Sequence, residues 1–341
     1  WDAYRSWVVG SVQQMESAGM RVDYWEVYNE PDTVTTTYYP PAQATTVTAD
    51  RLLTQFLITY QAIKSVIPDA RIIGPSLSNW TVPSTATTFS MQQFLNFAAA
   101  NHLSLAALSW HYDFSDPAKI QGQVSATRSM VGSLPALGTP KIFINEYGIG
   151  ETQRIPGWDV QYLAALTNAG VDSAGRECVS GDCWAPDLDG LLTPDGSAPL
   201  PDYWVRTAYG QMSGQMIPTS SSSNNVGAIA SLDGNGSQVN VVVGYGSGCT
   251  QDPRCAAAMP WATPAQSLST SLSVVVPWAT GSVSVSSTLI SGSSITAMSQ
   301  PSAVTSGALP VTLQGGQPTV TVSLGPLADG DAVSLQLTHS S

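Results

Sequence analysis

Apolar residues in the first nineteen positions recur at helical spacing. Tyr4, Val8, Val12 and Met15 fall on one stripe, and Gly19 suits the left-handed position just past a helix end. Beyond it, short apolar runs of strand length alternate with amphipathic stretches of helix length. Strands are predicted at 24–28, 71–74, 107–112, 141–146 and, more weakly, 176–178. Helices are predicted at 50–67, 90–101, 116–134, 158–168 and 202–212. Strand–helix pairs repeating at roughly 35-residue intervals indicate right-handed βαβ units around a parallel sheet, either a (β/α)8 barrel or a doubly wound sheet.

Around 217–226 the texture changes to a Ser/Asn-rich linker, and beyond it helical periodicity gives way to period two. Strands are predicted at 239–244, 272–276, 282–289, 311–313, 319–324 and 332–337. The alternation in Val320-Thr-Val-Ser-Leu324 is that of a half-buried antiparallel strand. The expected organisation is an α/β body over 1–215 followed by an antiparallel β-sandwich over 216–341.

Composition narrows the partners. Charged residues make up only 11% of the 341, and the net charge is −12, so no basic surface is available to neutralise phosphates. Nucleic acid and anionic membranes are thereby disfavoured, and no stretch approaches the roughly 18 apolar residues of a membrane span. Neutral substrates fit better. The four cysteines form two local pairs, Cys178/Cys183 and Cys249/Cys255, in Gly-, Asp- or Pro-containing loops. They read as loop-closing disulfides of a secreted protein. Zinc ligation is the rival reading, but both spacings are poor for zinc and no His lies nearby.

Two strands end in a glutamate. The run 24–28 leads directly into Asn29-Glu30-Pro31-Asp32, and Ile142-Phe-Ile-Asn-Glu146-Tyr-Gly148 ends the same way. The carboxyl ends of the strands form the catalytic rim of a parallel barrel, where burial raises a carboxylate's pKa. Two strand candidates separate the two glutamates, so Glu146 follows Glu30 by three βα units. Opposed carboxyl groups are what glycosidic cleavage needs: one protonates the leaving oxygen and the other attacks the anomeric carbon or supports it as positive charge develops.

Trp25-Glu-Val-Tyr-Asn-Glu-Pro-Asp32 resembles the acid/base motif of the clan A glycoside hydrolases, most closely family 39, the β-xylosidases and α-L-iduronidases. Ile144-Asn-Glu-Tyr-Gly148 resembles their nucleophile strand and Ser109-Trp-His-Tyr112 their sixth strand. The segment from Asp189 to Gly196, with Pro201-Asp-Tyr-Trp204, is similar to the eighth-strand exit and last helix. The resemblance covers about 1–215 and implies a (β/α)8 barrel followed by a β-sandwich. It implies Glu30 as general acid/base, Glu146 as nucleophile, and Asn29 as a hydrogen-bond partner of the sugar 2-hydroxyl. His111, Tyr112, Tyr147 and Trp184 become further candidates for binding sugar.

The resulting expectation is a secreted, bacterial, metal- and cofactor-independent retaining glycosidase, β-xylosidase-like, acting on oligosaccharide or polysaccharide fragments. The rivals are an inactive carbohydrate-binding barrel and another clan A hydrolase such as an arabinofuranosidase or endo-glycanase. In the family the strand before the acid/base residue is the fourth, whereas a single helix precedes it here. Three strands and two helices, about 90 residues, are therefore expected upstream. Without them the sheet is expected to keep open edges, leaving the chain aggregation-prone and inactive.

Overall fold

The computed structural model describes residues 1–32, 48–78, 80, 89–112, 116–148, 154–176, 187–188, 190–246, 267–278, 281–292 and 296–339. Contacts divide the chain into two compact units. The first comprises Trp1–Asp113, Ile120–Tyr147 and Val171–Glu177; the second comprises Phe114–Lys119, Gly148–Gly170 and Cys178–Ser341. Among the described residues no helix is long and apolar enough to cross a membrane.

In the first unit, α1 (Asp2–Ser17) ends at Gly19, whose φ is +71°. There the Gly19 N–H donates to Glu16 O and the Met20 N–H to Met15 O, the paired bonds of a Schellman stop. Five strands follow: β1 (Trp25–Glu26), β2 (Ile72–Leu77), β3 (Ala107–Tyr112), β4 (Lys141–Tyr147) and β5 (Ser173–Arg176). They form one parallel sheet in sequence order. This matches the predicted alternation, with β5 lying three residues earlier than the pattern suggests. The arrangement is that of a partial (β/α)8 barrel. The helices between strands are α2 (Ala49–Val66), α3 (Met91–Ala100) and α4 (Lys119–Gly132). Thr48 and Ser90 cap the first two, their hydroxyls accepting from the N–H groups of Arg51 and Gln93.

Strand β2 is buried along its whole length, as a central parallel strand should be. On the helix side Phe56 of α2 packs so close to Gly74 that a Cβ there would lie 2.9 Å from its ring. Trp110 of β3 also faces a helix, donating through Nε1 to Gln123 of α4 at 2.9 Å. Alternation therefore turns Ser109 and His111 to the opposite, concave face.

The second unit holds two antiparallel sheets whose facing sides share a core rich in valine, including Val241, Val243, Val283, Val320 and Val333. After β6 (Gln215–Ile217) come β7 (Val226–Leu232), β8 (Gln238–Tyr245), β9 (Ser267–Val275), β10 (Ser282–Ile290), β11 (Ser302–Pro310), β12 (Thr312–Gln314), β13 (Gln317–Ala328) and β14 (Ala332–His339). The larger sheet has the order β11-β10-β14-β8-β7-β6 and the smaller β12-β13-β9. Helices α5 (Pro156–Ala169) and α6 (Pro201–Gly210), which precede the change of texture near 215, belong to this unit. Val160, Leu163 and Val205 pack on Ile229, Val242 and Ile290 of the larger sheet. Because β7 is thus covered on both faces, it lacks the alternation that marks a half-buried strand. It begins where the sequence suggests only a linker.

Candidate active site

Two bulges shape the concave face of the first unit. Along β3 and β4, Trp110 pairs with Ile144 but the next residue, His111, pairs with Glu146, leaving Asn145 as an extra residue. A residue inserted in one strand changes which side chains share a face, so Asn145 and Glu146 both turn to the side occupied by His111. Along β2 and β3 the pairing steps from Pro75–Ser109 to Leu77–Trp110, leaving Ser76 extra. Ser76 has φ +56° and Glu30 has φ +49°, a left-handed conformation that L side chains rarely adopt. The Glu30 N–H donates to Ser76 O at 2.8 Å, so the two strained residues hold each other. Such backbone, at about 1–3 kcal/mol per residue, persists where surrounding structure enforces it and is concentrated at functional sites.

The carboxylates meet on one imidazole. His111 Nδ1 lies 3.0 Å from Glu30 Oε1 and 3.3 Å from Glu146 Oε2. One oxygen of each glutamate and the His111 nitrogen all lie within 4.8 Å of one another. His111 is fully buried, whereas 22% of the Glu30 side chain and 41% of the Glu146 side chain remain exposed, so both acids can be reached from solvent. The same three residues are the donor set a divalent cation could take.

A third carboxylate sits beneath this pair. Glu26 Oε1 accepts from Ser109 Oγ at 2.6 Å and its Oε2 accepts from Asn145 Nδ2, also at 2.6 Å. Asn145 Nδ2 reaches Ser76 Oγ at 3.2 Å, and Ser76 Oγ lies 3.2 Å from His111 Nε2. The Ser76 N–H donates to Ser109 Oγ. Glu26 is exposed on one side, but crowding by protein removes enough water to push its carboxyl above the ordinary range, against the opposing pull of the Ser109 and Asn145 hydrogen bonds. Asp32, fully buried, accepts from the Ser78 N–H and Ser78 Oγ and so ties the segment after Glu30 to the exit of β2.

Of the residues singled out in the sequence, Glu30, His111 and Glu146 converge, and Asn29 is exposed beside Glu30. Tyr112 and Tyr147 are register partners, 0% and 2% exposed. Alternation from His111 and Glu146 turns them to the other side of the sheet. Trp184 and the four cysteines lie outside the described residues. Sequence reading passed over Glu26, Asn145, Ser76 and Ser109. A signal for two of them was available: a charged residue inside a strand, and an amide directly before a strand-end glutamate.

No protein-family model matches the chain. A search of curated proteins finds no match either. Solved structures do match. One from Neocallimastix frontalis, called N2152, superimposes with a TM-score of 0.75 at 19% identity, over 99% of this chain and 76% of that one. A glucosidase from Croceicoccus marinus gives 0.67 at 16%, over 99% and 74%. A monomeric beta-xylosidase from Caulobacter crescentus gives 0.65 at 15%, again over 99% and 74%. At these identities the likeness is one of fold.

Proposed function

We propose that this chain is a retaining glycoside hydrolase in which Glu30 is the general acid/base and Glu146 the nucleophile. The observation that carries the reading is the approach of the two carboxylates, an oxygen of each within 4.8 Å, one in the segment that follows β1 and the other near the end of β4. Retaining enzymes hold their carboxyl groups about 5–5.5 Å apart, inverting ones about 6.5–9.5 Å, where a water must fit. Glu146 attacks the anomeric carbon while Glu30 protonates the departing oxygen, giving a covalent glycosyl-enzyme. Glu30, now ionised, takes a proton from water as that water displaces Glu146. His111, with Nδ1 beside an oxygen of each acid, keeps them facing each other through both steps.

Fold neighbours described as a glucosidase, a beta-xylosidase and a bifunctional glucanase-xylanase support a neutral glycan as substrate, as does the chain's own acidity. The family 39-like motifs favour a β-xyloside first. Secretion, with Cys178–Cys183 and Cys249–Cys255 bridged, belongs to the same reading.

The test is kinetic, on aryl β-xylosides and β-glucosides. Glu146→Ala should abolish turnover, and azide should restore it with a glycosyl azide of inverted configuration. Glu30→Ala should keep activity only on substrates whose leaving group needs no proton. Equal losses on activated and unactivated substrates for Glu30→Ala would remove Glu30 from its role, and a null effect of Glu146→Ala would remove Glu146.

A further inference from the structure

We propose that Glu26 is a positioning residue for both Glu30 and Glu146, its two carboxylate oxygens anchoring the bulges on which those glutamates depend. Each oxygen takes a different donor, Ser109 Oγ on Oε1 and Asn145 Nδ2 on Oε2, both at 2.6 Å. With the carboxyl ionised, such charge-assisted bonds are about twice as strong as neutral ones. The Oε1 arm leads to Glu30. Ser109 Oγ, having donated its proton to Glu26, accepts from the Ser76 N–H at 3.1 Å, and the Ser76 carbonyl accepts from the Glu30 N–H at 2.8 Å. Ser76 and Glu30 both have positive φ, so this arm holds the strained backbone that carries the Glu30 side chain. The Oε2 arm leads to Glu146. Asn145 is the extra residue of the β4 bulge, directly before Glu146, and its buried Oδ1 has no hydrogen-bond partner. Its amide is therefore held through Nδ2, by Glu26 and, at 3.2 Å, by Ser76 Oγ. The Ser76 hydroxyl also bonds to the Glu26 carboxylate, which closes the network across β1, β2, β3 and β4. A bulge leaves its extra residue outside the ladder, so strand pairing alone does not fix Ser76 or Asn145. One carboxylate supplies the tether at both places.

The proposal rests on the glycosidase reading for the roles of Glu30 and Glu146, and the variants separate the two arms. Ser109→Ala cuts the arm to Glu30. It should lower kcat/KM on unactivated aryl glycosides about 10- to 100-fold and spare activated ones, whose leaving groups need no proton. Asn145→Ala cuts the arm to Glu146 and should lower kcat/KM on both classes alike, since attack is needed whatever the leaving group. Glu26→Met should do both, and Glu26→Gln, with one acceptor oxygen for two donors, should fall between Glu26→Met and the wild type. A general loosening of the fold would not sort substrates by leaving group in one variant and fail to do so in another. A folded Glu26→Met protein with wild-type kinetics overturns the proposal, as does one substrate pattern common to Ser109→Ala and Asn145→Ala. Amide exchange followed by NMR gives an answer free of catalysis. The Ser76 and Glu30 N–H groups should be protected in the wild type and exchange about tenfold faster or more in Glu26→Met, with protection kept in α2 and α3. Should Glu26→Met fail to fold, Ser109→Ala carries the same measurement. Unchanged exchange at Ser76 and Glu30 overturns the proposal. If the protein turns over no glycoside, the assigned function fails while exchange still decides whether Glu26 holds the bulges.

Discussion

At the residue scale the site is a set of ionisable groups whose neighbours are fixed by backbone irregularities. Glu26 and Asp331 both have carboxyls raised above their ordinary values by burial. In that case the folded state holds protons that the unfolded chain has released. Stability is then highest below the ordinary values of 4.5 and 3.8, falls as pH rises through the raised values, and is level above them. Asp195 runs the other way. Thr193 and Ser197 hold it down to about 2, so its contribution is lost only as pH falls toward that value. Because Asp195 is fully exposed, the raised pair should set the slope above pH 4. Denaturant titration across pH 4 to 8 should show wild-type stability declining and Glu26→Gln declining less; equal slopes would mean that Glu26 is fully solvated in the fold. Glu30 and Glu146 stand out in the sequence because each follows an apolar run, a place near the carboxyl ends of parallel strands. Asn145 and Ser76 do not. Each is placed by a register shift, and a bulge leaves no periodic trace in the residues that form it.

At the scale of elements, alternating strand and helix signals located the whole parallel sheet, because buried parallel strands are apolar runs and their helices carry one apolar stripe. The sandwich was less legible. β7 is covered on both faces, and β11 is a mostly exposed strand of small residues, so neither shows the in/out alternation of β10 or β13. Close approach explains several glycines better than turns do. A Cβ on Gly175 of β5 would lie 2.7 Å from the backbone oxygen of Asn145, against the bulge itself. Gly122, exposed in α4, has nothing within 4 Å of its would-be Cβ. The same substitution should therefore act in opposite directions. Gly175→Ala should destabilise by about 1–3 kcal/mol through overpacking, while Gly122→Ala should stabilise by about 0.5–1 kcal/mol through helix propensity. Urea midpoints at constant m-value decide this. A neutral Gly175→Ala would mean that β5 is not held against the bulge of β4.

At the scale of the whole molecule, an acidic chain with few charges presents two surface-accessible acids on the concave face of a parallel sheet. Solved structures described as a glucosidase, a beta-xylosidase and a bifunctional glucanase-xylanase share its fold at 15–16% identity. Stereochemistry is the whole-molecule property that the proposed mechanism predicts. Inverting enzymes hold their carboxyl groups about 6.5–9.5 Å apart to leave room for a water, whereas here an oxygen of each lies within 4.8 Å of the other. On the proposed double displacement the sugar meets Glu146 itself, water enters only after the aglycone has left, and two inversions return the starting configuration. A proton NMR time course on an aryl β-glycoside should show the β-anomer of the free sugar first, with the α-anomer growing in only at the rate of spontaneous mutarotation. A chelator should leave this course unchanged, because both displacements use carboxylates alone. If the α-anomer appears first, Glu146 acts as a base rather than a nucleophile. If activity disappears with chelation and returns with a divalent cation, Glu30, His111 and Glu146 are metal ligands instead of the acid and nucleophile of a double displacement.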